Sequence, residues 1–293
     1  MRSLRHSRQS SRASAPLSDL AGGESGIVDV VERGSSAALR VGRIGLIGIE
    51  AELRQVVLLA RQAWANGRRP WLAVATASAA IAVAELLHSP TIAPALQRSG
   101  DVYASLPLPE ELMRLPMSLL LPTPLLPLWG AVLQLLVVLA LSELLLGRRL
   151  TVAVAGVGHV ASTLAARAMI EVCSGYTFCL PAALAHAVDS GPSAAVTSVG
   201  ACLLISVGCK RCAVVLSGAL LVAAVALPGL DGAEHLVALL CGFTAGAVCR
   251  QIAFGAATER SARLPARMSS TATSANDEDE ERVRRSSTSS PTG

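Results

Sequence analysis

The sequence predicts an all-α, polytopic membrane protein, a six-helix bundle with polar tails at both ends. The first reason is where the charge lies. Of 293 residues, 52% are apolar and 16% charged, and the 179 residues from Trp71 to Cys249 carry 16 charges against 30 in the remaining 114. Soluble domains carry about 25% charge. A stretch this poor in charge has too little polar surface to face water, which excludes a water-soluble enzyme. The second reason is segment length: six apolar runs approach the roughly 20 residues that a helix needs to cross hydrocarbon. The third is the basic residues between those runs, which alternate from one connection to the next. That 24 of the 25 basic residues are Arg reflects a GC-rich coding bias and carries no functional meaning.

Residues 1–69 are expected to form a cytoplasmic tail. Met1 to Ala38 is rich in Ser, Gly and Arg with little apolar content, the composition of a disordered segment. From Ile44 to Ala65 the pattern changes: Ile47, Ile49, Leu53, Val56, Val57, Leu59 and Trp64 recur near helical spacing, with Glu50, Glu52, Arg54 and Arg61 between them. That predicts an amphipathic helix lying on the inner leaflet or against the bundle. The membrane domain is set at 70–256, with spans at Trp71–His88, Thr123–Leu146, Leu150–Cys173, Ser193–Gly208, Ala213–Pro228 and His235–Ile252. Phe178–Val188 is too short to cross and reads as a re-entrant or interfacial segment. Residues 257–293, with the acidic run Asp277–Glu281 followed by Arg282, Arg284 and Arg285, read as a second disordered cytoplasmic tail.

Orientation follows from Lys and Arg, which are retained on the cytoplasmic side. Eleven Arg precede the first span. The next connection has Arg98 and Arg114 set against Asp101, Glu110 and Glu111. Arg148 and Arg149 fill the second turn, while Arg167 is accompanied by Glu171 and Asp189. Lys210 and Arg211 follow span four, and the next connection holds Asp231 and Glu234 with no base. Both termini are therefore expected in the cytoplasm, with the chain crossing the cell inner (plasma) membrane several times.

Inside a bilayer an ionisable or nucleophilic group is costly and is a functional candidate by default. Ser193 stands 17 residues from Lys210 and His235 stands 15 from Arg250, depths of roughly 25 and 22 Å at 1.5 Å per residue. A serine and an imidazole at matched depth are the minimum equipment for an activated hydroxyl nucleophile. Gly191-Pro192-Ser193-Ala194 puts that serine at a helix start, where free amides face outward and can stabilise an oxyanion. Gly242 and Gly246 form a GxxxG on the His235 face of span six, letting another helix approach closely. His159, with Ser162 and Thr163, lies deeper on span three.

These residues resemble the rhomboid family of six-helix intramembrane serine proteases, whose fourth helix opens on a GxSG serine paired with a histidine on the sixth. Gly191-Pro192-Ser193-Ala194 and His235 with Gly242 and Gly246 carry the likeness. Glu143-Leu-Leu-Leu-Gly147-Arg148-Arg149 adds a third point, similar to the junction after the family's second helix. The resemblance covers Trp71 to Ala256 and looks closest to divergent rhomboid-like proteins of actinobacteria. It implies a rhomboid-like fold with Ser193 as nucleophile and His235 as general base. Gly191, Ala194 and His159 would be oxyanion or supporting residues, and Gly242 and Gly246 helix-packing residues. The chain departs from the family at Ala194, which replaces the last Gly of GxSG, and at Pro127 and Ala131, where the family carries His and Asn.

The bland readings stand beside these. Ser193 is also a good N-cap, His235 an interfacial histidine, His159 an interhelical hydrogen-bond node, and Glu143 an anchor for the turn through Arg148 or Arg149. Seven cysteines and the lone Cys209-Lys-Arg-Cys212 give no disulfide framework. No metal and no cofactor are assigned. The expected partners are transmembrane protein substrates or clients and the lipid bilayer, with no nucleic acid. Two functions follow: an intramembrane serine protease using a Ser–His dyad, or a catalytically inactive rhomboid-like pseudoprotease that binds client transmembrane helices. A small-solute transporter or channel is disfavoured, since it needs more than one midplane polar cluster or broken-helix pair, only His159 with its neighbours qualifies, and no internal repeat is visible.

Overall fold

The computed structural model describes residues 46–122, 127–171, 180–226 and 229–254. The tail readings for Met1–Ala38 and Asp277–Glu281, and the start of the short segment at Phe178, lie outside them. The chain divides into two compact units, Met1–Glu50 and Ala51–Gly293. Of the first, only 46–50 is described, and it is helical.

The described residues form nine α-helices and no strand: α1 (46–65), α2 (Trp71–Leu86), α3 (Ala93–Gly100), α4 (Leu108–Ser118), α5 (Leu128–Leu145), α6 (Arg148–Glu171), α7 (Ser193–Val207), α8 (Lys210–Ala226) and α9 (Leu230–Phe254). Each predicted span coincides with a helix to within a few residues. Three of them, α5, α6 and α9, are long and apolar enough to cross a membrane, and α2 and α7 are shorter apolar helices. This is a helical membrane protein. Its surface agrees: Trp129, Val157, Val222, Leu240, Ile252 and Phe254 are all more than 60% exposed, whereas Ser142, Thr151, Ser162 and Ser198 are fully buried. Water would impose the opposite distribution. Hydrocarbon outside and hydroxyls inside is the pattern of helices that associate in lipid.

Helix α7 is the centre. Residues 194–199 and 201–203 are buried on every face, and α5, α6 and α8 pack around it. Small residues make this possible. Gly158 of α6 lies directly against the Ser198 side chain, so a methyl there would overlap it, and the Ser198 hydroxyl donates to the Val154 carbonyl at 3.3 Å. On another face of α7, a methyl at Gly242 of α9 would collide with the Ser198 carbonyl oxygen, and one at Gly246 would sit 2.7 Å from that of Cys202. The GxxxG of α9 therefore meets α7, the helix that Ser193 opens.

Glu143 does more than anchor a turn. Its Oε1 accepts from Arg148 Nε at 2.9 Å, as the sequence suggests, while Oε2 accepts from the Leu72 and Ala73 amides at 2.7 and 3.2 Å. Pro70 stands at the N-cap of α2 without a capping side chain, so a carboxylate from α5 supplies the cap instead. A second helix is capped in the same way across the fold. Glu52 of α1 accepts from the amides of Arg211 (3.1 Å) and Cys212 (2.9 Å), at the head of α8. Val56 and Ala60 of α1 are buried, and Leu53, Val57, Leu58 and Trp64 stay exposed. The amphipathic helix thus packs on the bundle and keeps a second apolar face outward. Burial alone would raise the Glu52 pKa, but the Cys212 and Arg211 amides outweigh it and hold the carboxyl below its ordinary 4.5.

Two predictions follow from this packing. Gly242→Val forces backbone apart and should destabilise the protein by about 1–3 kcal/mol. Gly218→Ala on α8, where nothing lies within 4 Å of the added carbon, should be neutral or stabilising; thermal unfolding in detergent of both variants checks the contrast. Because the folded Glu52 pKa is depressed, its stabilisation is complete above pH 4.5 and is lost as pH falls through the folded value. Glu52→Gln should abolish that acid limb of the stability profile and weaken the protein at neutral pH.

Candidate active site

The connection between α2 and α5, expected as a plain loop, is a folded platform. Helices α3 and α4 pack on each other, and α4 leans on α6. Both start with Pro in their first turn, where the missing N–H costs nothing. The platform grips the segment that leads into α7. Val102 and Asp189 exchange both backbone hydrogen bonds (3.2 and 2.7 Å), and the Ser105 amide donates to the Ala185 carbonyl at 3.0 Å. The described part of the segment holds a 3-10 turn, Ala182–His186. Arg167 of α6 donates to the Leu106 carbonyl at 2.8 Å and pairs with Glu111 of α4 and Glu171.

Next comes the elbow itself. Gly191 has φ +118°, a conformation that a side chain would strain, and its amide donates to the Ser118 carbonyl at 2.8 Å. Gly191 therefore shapes the elbow, and its amide is already committed and not free for an oxyanion. Pro192 takes the N-cap position and Ser193 is the first helical residue, with no side-chain cap bond. The N-cap reading of Ser193 is thus corrected: proline occupies the cap and the serine hydroxyl is left for other work. The first bond of the helix runs from the Val196 amide to the Pro192 carbonyl at 2.9 Å. The amides of Ser193, Ala194 and Ala195 therefore have no intrahelical acceptor. Ala194 is buried, and it contributes a backbone donor whatever its side chain.

His235 lies one turn inside α9, not at its start, because the helix begins at Leu230. Its Nδ1 lies 2.6 Å from the Asp231 carbonyl oxygen. An Nδ1–H must therefore donate there, and the lone pair is fixed on Nε2. Both His235 and Ser193 are half-buried. Their level along the helices follows from the glycines. Gly242 meets Ser198 and Ala201, and Gly246 meets Cys202 and Ile205, so four residues of advance on α9 match four on α7 and the two helices run parallel. The same offset carried toward their heads sets residues 234–237 level with Ser193, which puts His235 at that level within about 3 Å along the axis. No hydrogen bond joins Ser193 to His235.

His159 is a node, but between α6 and the platform. Ser118 donates to the Leu115 carbonyl at 2.9 Å, so His159 Nε2–H donates to the Ser118 oxygen, also at 2.9 Å. Nδ1 is left buried with no partner among the described residues. Ser162 bonds back to the His159 carbonyl at 2.9 Å, and Thr163 donates to Asp189 at 3.4 Å. His159 thus sits one residue away, through Ser118, from the Gly191 amide. On α5, Ala131 is buried and apolar and offers the site no donor. An apolar cavity of about 330 Å³ runs between α2, α5 and α6 and ends against Pro192 and Ala195.

Sequence reasoning passed over Ser118, Glu111, Asp189 and Glu234. All four are buried polar residues at this end of the fold, and burial pushes the Asp189 carboxyl up to about 6. Compared with protein-family models, curated proteins and solved structures, the chain finds no match.

Removing the Ser118 hydroxyl takes away the side-chain partner of His159 Nε2, while Nδ1 already has none among the described residues. Ser118→Ala should therefore cost about 1–3 kcal/mol, and thermal unfolding beside the wild type measures the loss.

Proposed function

We propose that this chain is a rhomboid-like intramembrane serine protease with six spans and both termini in the cytoplasm. The observation that carries the reading is the parallel register of α7 and α9, which brings the heads of these helices, with Ser193 and His235, to one level. In this reading Ser193 Oγ attacks the carbonyl carbon of a peptide bond while His235 Nε2 takes the hydroxyl proton. The Asp231 carbonyl supports that role, since it holds the proton on Nδ1 and leaves Nε2 as the base. The negative oxygen formed by attack meets the free amides of Ser193, Ala194 and Ala195. His235 then gives its proton to the departing amine, and water repeats the sequence on the acyl-enzyme. The apolar cavity beside Pro192 suits an aliphatic side chain of a transmembrane substrate.

A second reading has its own support. Ser193 and His235 are not hydrogen-bonded, and α5 offers no side-chain oxyanion donor at Ala131. A catalytically silent rhomboid-like protein that keeps the bundle and binds transmembrane helices of clients would have the same features.

Purified protein incubated with a fluorophosphonate probe separates the two. The protease predicts labelling of wild type and none of Ser193→Ala, with labelling of His235→Ala reduced about 100-fold or more. An unlabelled wild type, beside an active intramembrane serine protease that labels, supports the silent reading.

A further inference from the structure

Three carboxylates from segments far apart in the chain converge beside the elbow. Asp189 comes from the segment before α7, and Asp231 and Glu234 come from the first turns of α9. One oxygen of each lies within 4.8 Å of the others. They are poorly solvated: Glu234 is 3% exposed and Asp189 8%. Like charges this close, with little water between them, repel strongly unless a cation, or a proton shared between Asp189 and Glu234, which stand within hydrogen-bond reach, lies among them. The nearby cation does not serve, because the Arg167 guanidinium is engaged by Glu111, Glu171 and the Leu106 carbonyl. The only hydroxyl donated from outside the group among the described bonds is that of Thr163, to Asp189.

Two further observations point to an absent positive partner. Glu234 Oε1 is wholly buried and has no hydrogen-bond partner among the described residues. Glu111 of α4, a different element, adds its charge to the field at both Asp189 and Glu234 and is itself paired with Arg167. It is 1% exposed, and its Oε1 is equally buried and unpartnered. Buried carboxylate oxygens with nothing to accept from are costly. Glu234 Oε1 is such an oxygen within the cluster itself, as an ion ligand would be without its ion.

We propose that Asp189, Asp231 and Glu234 bind a Ca²⁺ ion that ties the segment before α7 to the head of α9. The donors are all oxygen, which suits a hard cation and gives zinc or copper no nitrogen or sulfur ligand. Spacing selects among hard cations. Ca²⁺–O bonds of 2.3–2.6 Å allow two ligands of one ion to stand up to about 5 Å apart, whereas Mg²⁺ at 2.0–2.1 Å allows about 4.2 Å. Three oxygens within 4.8 Å of one another fall inside the Ca²⁺ limit, and the larger, more flexible Ca²⁺ shell takes them with the least rearrangement. Water and nearby backbone carbonyls would complete the six to eight ligands that Ca²⁺ takes. Asp231 links this site to its neighbour, since its carbonyl holds His235. The site does not depend on hydrolysis by Ser193.

The test is calorimetric titration of the full chain, purified in detergent and stripped of divalent ions, with CaCl₂. Thermal unfolding is followed in chelator and in Ca²⁺. One saturable site per chain is expected, with a raised melting temperature in Ca²⁺ and about tenfold or weaker binding of Mg²⁺. Asp189→Asn and Glu234→Gln should each weaken Ca²⁺ binding by about tenfold or more. Their melting in chelator should stay at or above that of wild type, because each relieves repulsion and shows that the variant folds. No saturable Ca²⁺ binding at millimolar concentration overturns the proposal. So does binding that both variants retain, which would assign the ion to another acidic stretch such as Asp277–Glu281. Stabilisation by acid alone, with no response to Ca²⁺, would show that shared protons hold the cluster and would also overturn it.

Discussion

Lipid tails are as apolar as leucine, so helices in a bilayer gain little by hiding apolar surface from one another. They associate where backbones approach closely and where hydroxyls find carbonyls across the gap. The packing of α6 and α9 on α7 rests on such an approach. Gly158 receives the Ser198 side chain on one flank, and Gly242 and Gly246 receive the Ser198 and Cys202 carbonyls on another. Had these positions been alanine or larger, α6 and α9 would stand further off. The register that levels the heads of α7 and α9 would then have nothing to fix it.

A different physics governs the end of the bundle at which α7 begins. There the chain carries buried polar groups in place of small residues, and each must be satisfied in place. Ser118 does this for two elements at once: its hydroxyl serves His159 and its carbonyl holds the Gly191 amide. Arg167 clasps α4 to α6, while the Val102–Asp189 bridge clasps the platform to the segment ahead of Ser193. The opposite end uses carboxylates as helix caps, with Glu143 on α2 and Glu52 on α8. The elbow is thus held by groups that form no hydrogen bond with Ser193 among the described residues.

This division explains what could be read from the sequence. The six helices were legible because their signal is local: an apolar run and the Gly or Pro that ends it. The contact face of α9 was legible too, since Gly242 and Gly246 can only mark a close crossing, although their partner helix was not. The platform was missed because α3 and α4 are short, carry Pro and Glu, and look like a polar loop until packing shows which faces are buried. Glu143 showed only its near partner, Arg148, and hid its distant ones, the Leu72 and Ala73 amides. The acidic cluster left no trace, because Asp189 and Asp231 lie on separate segments and meet only when α7 and α9 do. Even the head of α9 was set too late, at His235, since the polar Asp231 and Glu234 read as loop when they are the helix's first turns.

The central claim is spatial, and a cross-link tests it most directly. In a background with the seven native cysteines replaced, Ser193→Cys and His235→Cys together should form a disulfide rapidly on mild oxidation in membranes, because the α7–α9 register sets the two positions at one level and the proposed dyad requires them to meet. Ser193→Cys paired with Leu240→Cys, about 7 Å further along the axis and pointing outward, should not. Failure of the first pair, or equal cross-linking of both, would contradict the register and with it the account of the site.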